Sequence, residues 1–273
     1  MISHNNRLFD IFFEGKDRAE FARFPYRKGN VALGYVICVT PRSGSTFLTH
    51  LLKENNSYGN PDEWLNYDSI GAIISEEGIV NFDQYLNFLW ENYSSEAGVF
   101  GVELSYPHFA FLHEMAPLEN VLGENIRWFY LVRENIVAQA ISLYVANVTG
   151  YFHSYMERTD DIKLTYNAQE IIKNINMLVD QEAAFERLFT ARGICPVRLS
   201  YETMMLDTHS TVALFRNVLS VGQGKEIVKS DTIKKIGGEI NAEFEEKFRR
   251  EEGGFLEDII KRRMPVVTMS RTV

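Results

Sequence analysis

Six residues carry most of the chemistry in this chain: Pro41-Arg-Ser-Gly-Ser-Thr46. Arg42 brings a fixed cation and a planar fork of donors, and Ser43, Ser45 and Thr46 bring hydroxyls. The apolar, β-branched run Tyr35–Val39 precedes them, and Phe47, Leu48, Leu51 and Leu52 follow at helical spacing. A strand, a short loop and a helix in that order aim backbone N–H groups and the positive end of a helix dipole at one point. That is a cradle for an anion, most simply a phosphate. The competing reading is a tight turn whose serines cap the helix. A phosphotransfer P-loop needs a lysine after its last glycine, and here Gly44 is followed directly by Ser45, which argues against ATP or GTP hydrolysis. Cys38 lies inside the apolar run with no adjacent base, so a core thiol is expected rather than a nucleophile.

A second anion site is expected further on. Arg133 closes the apolar run Ile126–Val132, and Asn135 is placed to cap a helix that carries Ser142. Ser142 lies nearly two helical turns beyond Asn135 and therefore faces back towards the strand end. A guanidinium and a hydroxyl can grip one phosphate from two sides. Arg133 paired with Glu134, and a serine used only in packing, is the plainer alternative. Together the two sites point to a nucleotide bearing phosphates at both its 5′ and 3′ positions.

The elements that must position these residues read as alternating strands and helices. Strands are expected at 34–40, 99–104, 126–132 and 196–201. Helices are expected at 46–55, 81–93, 109–115, after Asn135, at 168–191, near 209–219 and at 242–251, with weak helical signals at 7–13 and 18–24. Pro61-Asp-Glu63 reads as the start of a short helix after the turn at Gly59. The tail from Arg262 fits an extra strand, a dimer arm or a disordered segment. Such alternation implies an α/β fold, a mostly parallel central sheet with helices on both faces and a P-loop-like nucleotide-binding architecture. Ligands on such sheets sit at the carboxyl ends of the strands, just where Arg42 and Arg133 fall.

With 273 residues, 45% of them hydrophobic, the chain can build a substantial core, and no linker or repeat divides it. A single domain over 1–273 is expected, with 1–33 and 252–273 as peripheral extensions. The net charge of −9 disfavours non-specific nucleic-acid binding, so an anionic ligand must be held by a few concentrated arginines. Two cysteines suit a reducing compartment, and Met1–Asp10 lacks the apolar stretch of a secretory signal. No apolar run is long enough to span a membrane, and no His/Cys cluster has metal-ligand spacing, so a cytoplasmic, metal-independent protein is expected.

The Pro41–Thr46 loop, the turn Gly59-Asn-Pro-Asp-Glu-Trp64 and the pattern Arg133…Gln139-Ala-x-Ser142 occur in the same order in sulfotransferases. The chain resembles that family over roughly residues 34–146, most nearly the bacterial trehalose sulfotransferase type, which uses 3′-phosphoadenosine 5′-phosphosulfate (PAPS). Weaker similarity returns at Tyr201-Glu202 and over Glu243–Glu251. The resemblance implies that Arg42, Ser43, Gly44, Ser45 and Thr46 hold the 5′-phosphosulfate, that Arg133 and Ser142 hold the 3′-phosphate, and that Tyr201 lies near the adenine. It implies Glu63 as the general base, a role a carboxylate on a turn near the cradle can fill. It also implies a homodimer and an acceptor hydroxyl on a sugar, glycolipid or small metabolite. Relatives often carry lysine where Glu103 stands and an acid where Asn60 stands, so the resemblance does not carry over trehalose itself as the acceptor. Two other readings compete: a kinase-like phosphotransferase using ATP on the same loop, and a non-catalytic nucleotide-binding scaffold.

Overall fold

The computed structural model describes residues 31–79, 81–115, 117–152, 164–222 and 238–270. The weak helical signals at 7–13 and 18–24 lie outside them. The chain runs β1 (Leu33–Val39), α1 (Ser45–Lys53), α2 (Tyr67–Glu77), α3 (Phe82–Tyr93), β2 (Val99–Ser105), α4 (Tyr106–Met115), α5 (Leu118–Leu122) and β3 (Ile126–Val132). It continues through α6 (Ile136–Thr149), α7 (Ala168–Arg192), β4 (Val197–Ser200), α8 (Tyr201–Leu206), α9 (Thr208–Leu219), α10 (Glu239–Glu251) and α11 (Gly253–Ser270). The strands form a parallel four-stranded sheet in the order β2-β1-β3-β4, flanked by helices, so the α/β expectation holds. After β1 the chain builds β2 on one side and then β3 on the other. The β1/β3 boundary is therefore the topological switch point, where open parallel sheets bind ligands.

Two compact units interleave along the chain. The first takes in Met1–Cys38, Thr49–Phe129 and Val212–Ile227; the second takes in Val39–Leu48, Tyr130–Thr211 and Val228–Val273. In the first, the ring of Phe129 stacks on Phe215 with centroids 3.9 Å apart, and Tyr35 meets both edge-on. Gly101 makes room for this tyrosine, since a Cβ there would lie 2.1 Å from the Tyr35 ring. In the second, α6, α7, α10 and α11 share one apolar cluster, with Ile141, Ile175, Leu178, Phe248 and Ile259 inside it. This burial, at about 25 cal/mol per Å², is what holds the helices around the end of β3.

Two local readings change. No helix begins at Pro61: Asp62 forms a parallel bridge to Val102, and the Glu103 N–H donates to the Asp62 carbonyl at 2.9 Å. The following helix, α2, starts only at Tyr67, where the Asn66 side chain accepts from the Ser69 N–H. The tail is helical through Ser270, with Pro265 inside α11, and is not the extra strand or disordered segment as far as Ser270. Among the described residues no helix is long and apolar enough to cross a membrane. Cys38 is buried, and burial pushes its thiol well above the usual range; Cys195 is exposed, and both are free.

Candidate functional site

The second unit brings together Arg42, Ser43, Gly44, Ser45, Thr46, Arg133, Ser142 and Tyr201. The loop after β1 takes the left-handed conformation at Arg42 (φ 65°) and again at Gly44 (φ 94°). Glycine suits its position for a second reason: a Cβ there would lie 2.3 Å from Cδ2 of Tyr201. For Arg42 the conformation is costly, roughly 1–3 kcal/mol, and persists only where the surroundings impose it. They do so here. Its Nε donates to Ser142 Oγ at 3.0 Å, and its Nη1 donates to the Phe152 carbonyl. The loop is also held from below by Gln139, fully buried on α6, whose Nε2 donates to Thr40 Oγ1 at 2.9 Å and to the Pro41 carbonyl at 2.8 Å. Ser45 and Thr46 form the first turn of α1, where helical N–H groups lack intrahelical acceptors.

Arg133 leaves β3 beside this loop. Its Nη1 donates to the Arg42 carbonyl at 3.2 Å, and its guanidinium lies over the Tyr201 ring, 4.8 Å from the centroid. Two like charges are thus brought close in a poorly solvated place. Burial pulls both guanidinium groups below the ordinary arginine value, and at Arg42 the charge of Arg133 adds to it. Tyr201, Glu202 and Glu245 act the other way on Arg133 without cancelling burial. Two buried donors here have no hydrogen-bond partner in the protein, Ser43 Oγ and Arg133 Nε, and one acceptor, Gln139 Oε1, lacks one as well. Buried polar groups are normally satisfied, and adjacent cations repel. An anion against this loop would answer both conditions, so the donor set fits a phosphorylated ligand. Ser142, expected to grip a phosphate together with Arg133, accepts from Arg42 Nε.

The turn that launches α6 from Arg133 is fixed on its amide side. Glu202 accepts from the Glu134 N–H at 2.9 Å and from the Asn135 N–H at 3.2 Å. Asn135 caps α6 as expected, accepting from the Ala138 N–H, and its Nδ2 donates to Glu245. Sequence reasoning gave no role to Gln139, Glu202 or Glu245. A polar residue inside the apolar stretch Ile136–Ala146 was the available signal for Gln139.

Glu63 belongs to the first unit. It follows the stitched residue Asp62, whose Oδ1 accepts from the Glu63 N–H at 2.8 Å and whose Oδ2 lies 2.5 Å from Lys53 Nζ. Glu63 Oε2 accepts from Asn66 Nδ2 at 2.8 Å, which orients the carboxylate. The indole of Trp64 stacks on Tyr93 at 3.8 Å and donates to the Asn60 carbonyl, making this turn stiff. His108 lies near Glu63 and Asp68, its ring edge-on to Tyr67. Burial holds it below the usual histidine value although both carboxylates pull the other way. Its Nδ1 is buried with no protein partner.

A glycine-containing loop at the first strand end and a second arginine at the switch point belong to an α/β protein whose loop donors fit an anion. A family model described as Stf0 sulphotransferase matches residues 34–251, and the chain belongs to that family. It is similar to the trehalose 2-sulfotransferases of Mycobacterium tuberculosis (strain ATCC 35801 / TMC 107 / Erdman) and Mycolicibacterium smegmatis (strain ATCC 700084 / mc(2)155). The first is 22% identical and the second 21%, each over 254 residues that cover 80% of this chain and 94% of the relative. The sulfotransferase resemblance drawn from the three motifs therefore holds.

Proposed function

We propose that this protein transfers a sulfuryl group from PAPS to a hydroxyl of a sugar, glycolipid or small metabolite, with Glu63 as general base. The observation that carries the reading is the close pair Arg42 and Arg133 at neighbouring strand ends, with Ser43 Oγ and Arg133 Nε left for a ligand. In this reading Arg42, Ser43, Gly44, Ser45 and Thr46 hold the 5′ end of the nucleotide, Arg133 and Ser142 the 3′-phosphate, and Tyr201 the base. Bound PAPS supplies an activated sulfuryl group on a phosphate leaving group.

The chain's own residues then have distinct tasks. Arg42, held by Ser142, would neutralise charge on the oxygen that bridges sulfur and phosphorus. Glu63, oriented by Asn66, would accept the proton of the acceptor hydroxyl. The sugar class of acceptor is supported by the names of the two relatives. Unpaired Cys38 and Cys195 are consistent with a cytoplasmic enzyme.

Calorimetric titration with adenosine 3′,5′-bisphosphate, beside ADP and ATP without added metal, tests this. Low-micromolar binding of the bisphosphate alone is expected. Preference for ATP would replace the reading with a phosphotransferase, and binding of none of the three would overturn it.

A further inference from the structure

Arg263, on α11, lies outside the span that the family model matches and is almost wholly buried, 4% exposed. Its partner Glu182, on α7, is 2% exposed. The pair is bidentate, Nε to Oε2 at 2.7 Å and Nη2 to Oε1 at 2.6 Å. The same guanidinium also reaches the main chain. Nη2 donates to the Arg133 carbonyl at 2.8 Å, and Nη1 donates to the Glu134 carbonyl at 3.0 Å.

A buried ion pair is weak evidence for stability, because desolvation offsets much of its Coulomb attraction. This one grips the two carbonyls at which β3 turns into α6. On the opposite side of the same peptides, Glu202 takes the amides of Glu134 and Asn135. The turn is thus clamped between a cation on its carbonyls and an anion on its amides. Arginine suits the first task because one rigid fork can serve a carboxylate and two carbonyls at once.

We propose that Arg263, neutralised by Glu182, is a positioning residue that fixes the backbone of Arg133 and so sets the enzyme's preference for 3′-phosphorylated nucleotides. This rests on the assignment of Arg133 to the 3′-phosphate. Without the clamp the turn can relax, and the guanidinium of Arg133 loses its register against the cradle. The 5′ side of the site is affected less, because the loop after β1 would lose the Arg133 bond to the Arg42 carbonyl but keep its ties to Ser142 and Gln139.

The test compares dissociation constants for adenosine 3′,5′-bisphosphate and adenosine 5′-monophosphate in the full chain. The double variant Arg263→Met with Glu182→Leu removes both charges together and so keeps the interior neutral. It is expected to lose less affinity for the monophosphate than for the bisphosphate, so that the preference for the bisphosphate falls about tenfold. Placed on Arg133→Ala, the double change should cost no further preference. Arg263→Lys, which keeps the charge but not the fork, serves if the double variant does not fold, with a loss of the same sign.

An unchanged preference in a folded variant overturns the proposal. So does an equal loss for both nucleotides, which would mark a general structural role. A wild-type protein that does not distinguish the two nucleotides would refute the Arg133 assignment itself, and the proposal with it.

Discussion

The Arg133 guanidinium donates to the main-chain carbonyl of Arg42 at 3.2 Å, so the cation at one strand end holds the backbone that presents the other. The two arginines are one structure rather than two independent contacts. Hydrogen bonds to charged groups are each worth roughly 1.5–3 kcal/mol. Arg42→Ala or Arg133→Ala should therefore weaken binding of adenosine 3′,5′-bisphosphate roughly ten- to hundredfold. Because Arg133 holds the backbone that presents Arg42, the double variant should lose less than the sum of the two. Strict additivity in the calorimeter would contradict the coupling.

Gly44→Ala meets two obstacles, a left-handed backbone and the ring of Tyr201 at 2.3 Å from the new Cβ. A cost of about 1–3 kcal/mol for the backbone alone is expected, a drop of several degrees in melting temperature. Adding Tyr201→Ala should recover the steric part only. Full recovery would mean the left-handed conformation costs nothing.

Glu63→Gln should leave bisphosphate affinity and melting temperature near the parent values while turnover falls about 10²- to 10⁴-fold. The amide keeps an oxygen to accept from Asn66, so a large loss would report proton transfer rather than a disordered turn. Undiminished turnover would move the base to another group.

His108 gives the protein a pH dependence of known sign. Burial lowers its value from 6.5, so below that pH the unfolded chain binds a proton that the folded chain resists. The histidine therefore costs no stability well above pH 6.5 and an increasing amount as pH falls through it. Denaturant midpoints at pH 8 and 5.5 should fall more steeply in the parent than in His108→Gln. Parallel losses would show that other groups dominate.

The parts of this molecule that are local in sequence were legible there. The apolar strand β1, the glycine-containing loop and the cap at Asn135 each depend on a few adjacent residues, and all were anticipated. The parallel sheet followed from alternation. What escaped prediction depends on partners far along the chain. Asp62 reads as a helix starter until Val102 pairs with it. The bond from Arg42 to Ser142 depends on the left-handed loop that turns the Arg42 side chain towards α6. Pro265 hides a helix in the tail, and no spacing rule ties Arg263 to a turn 130 residues earlier. The expected roles of Glu63, Arg133 and Tyr201 await the measurements above.

That separation also has a meaning in time. Ribosomes extend a chain at about 5–20 residues per second, so the side chain that clamps the Arg133 turn is made roughly 7–26 s after the turn itself. The sheet, the loop after β1 and α6 all precede it in synthesis. A nascent chain can therefore be well advanced in folding while the backbone at Arg133 still lacks half of its clamp. The turn that presents Arg133 would mature late, as a step of biosynthesis that follows the folding of the sheet.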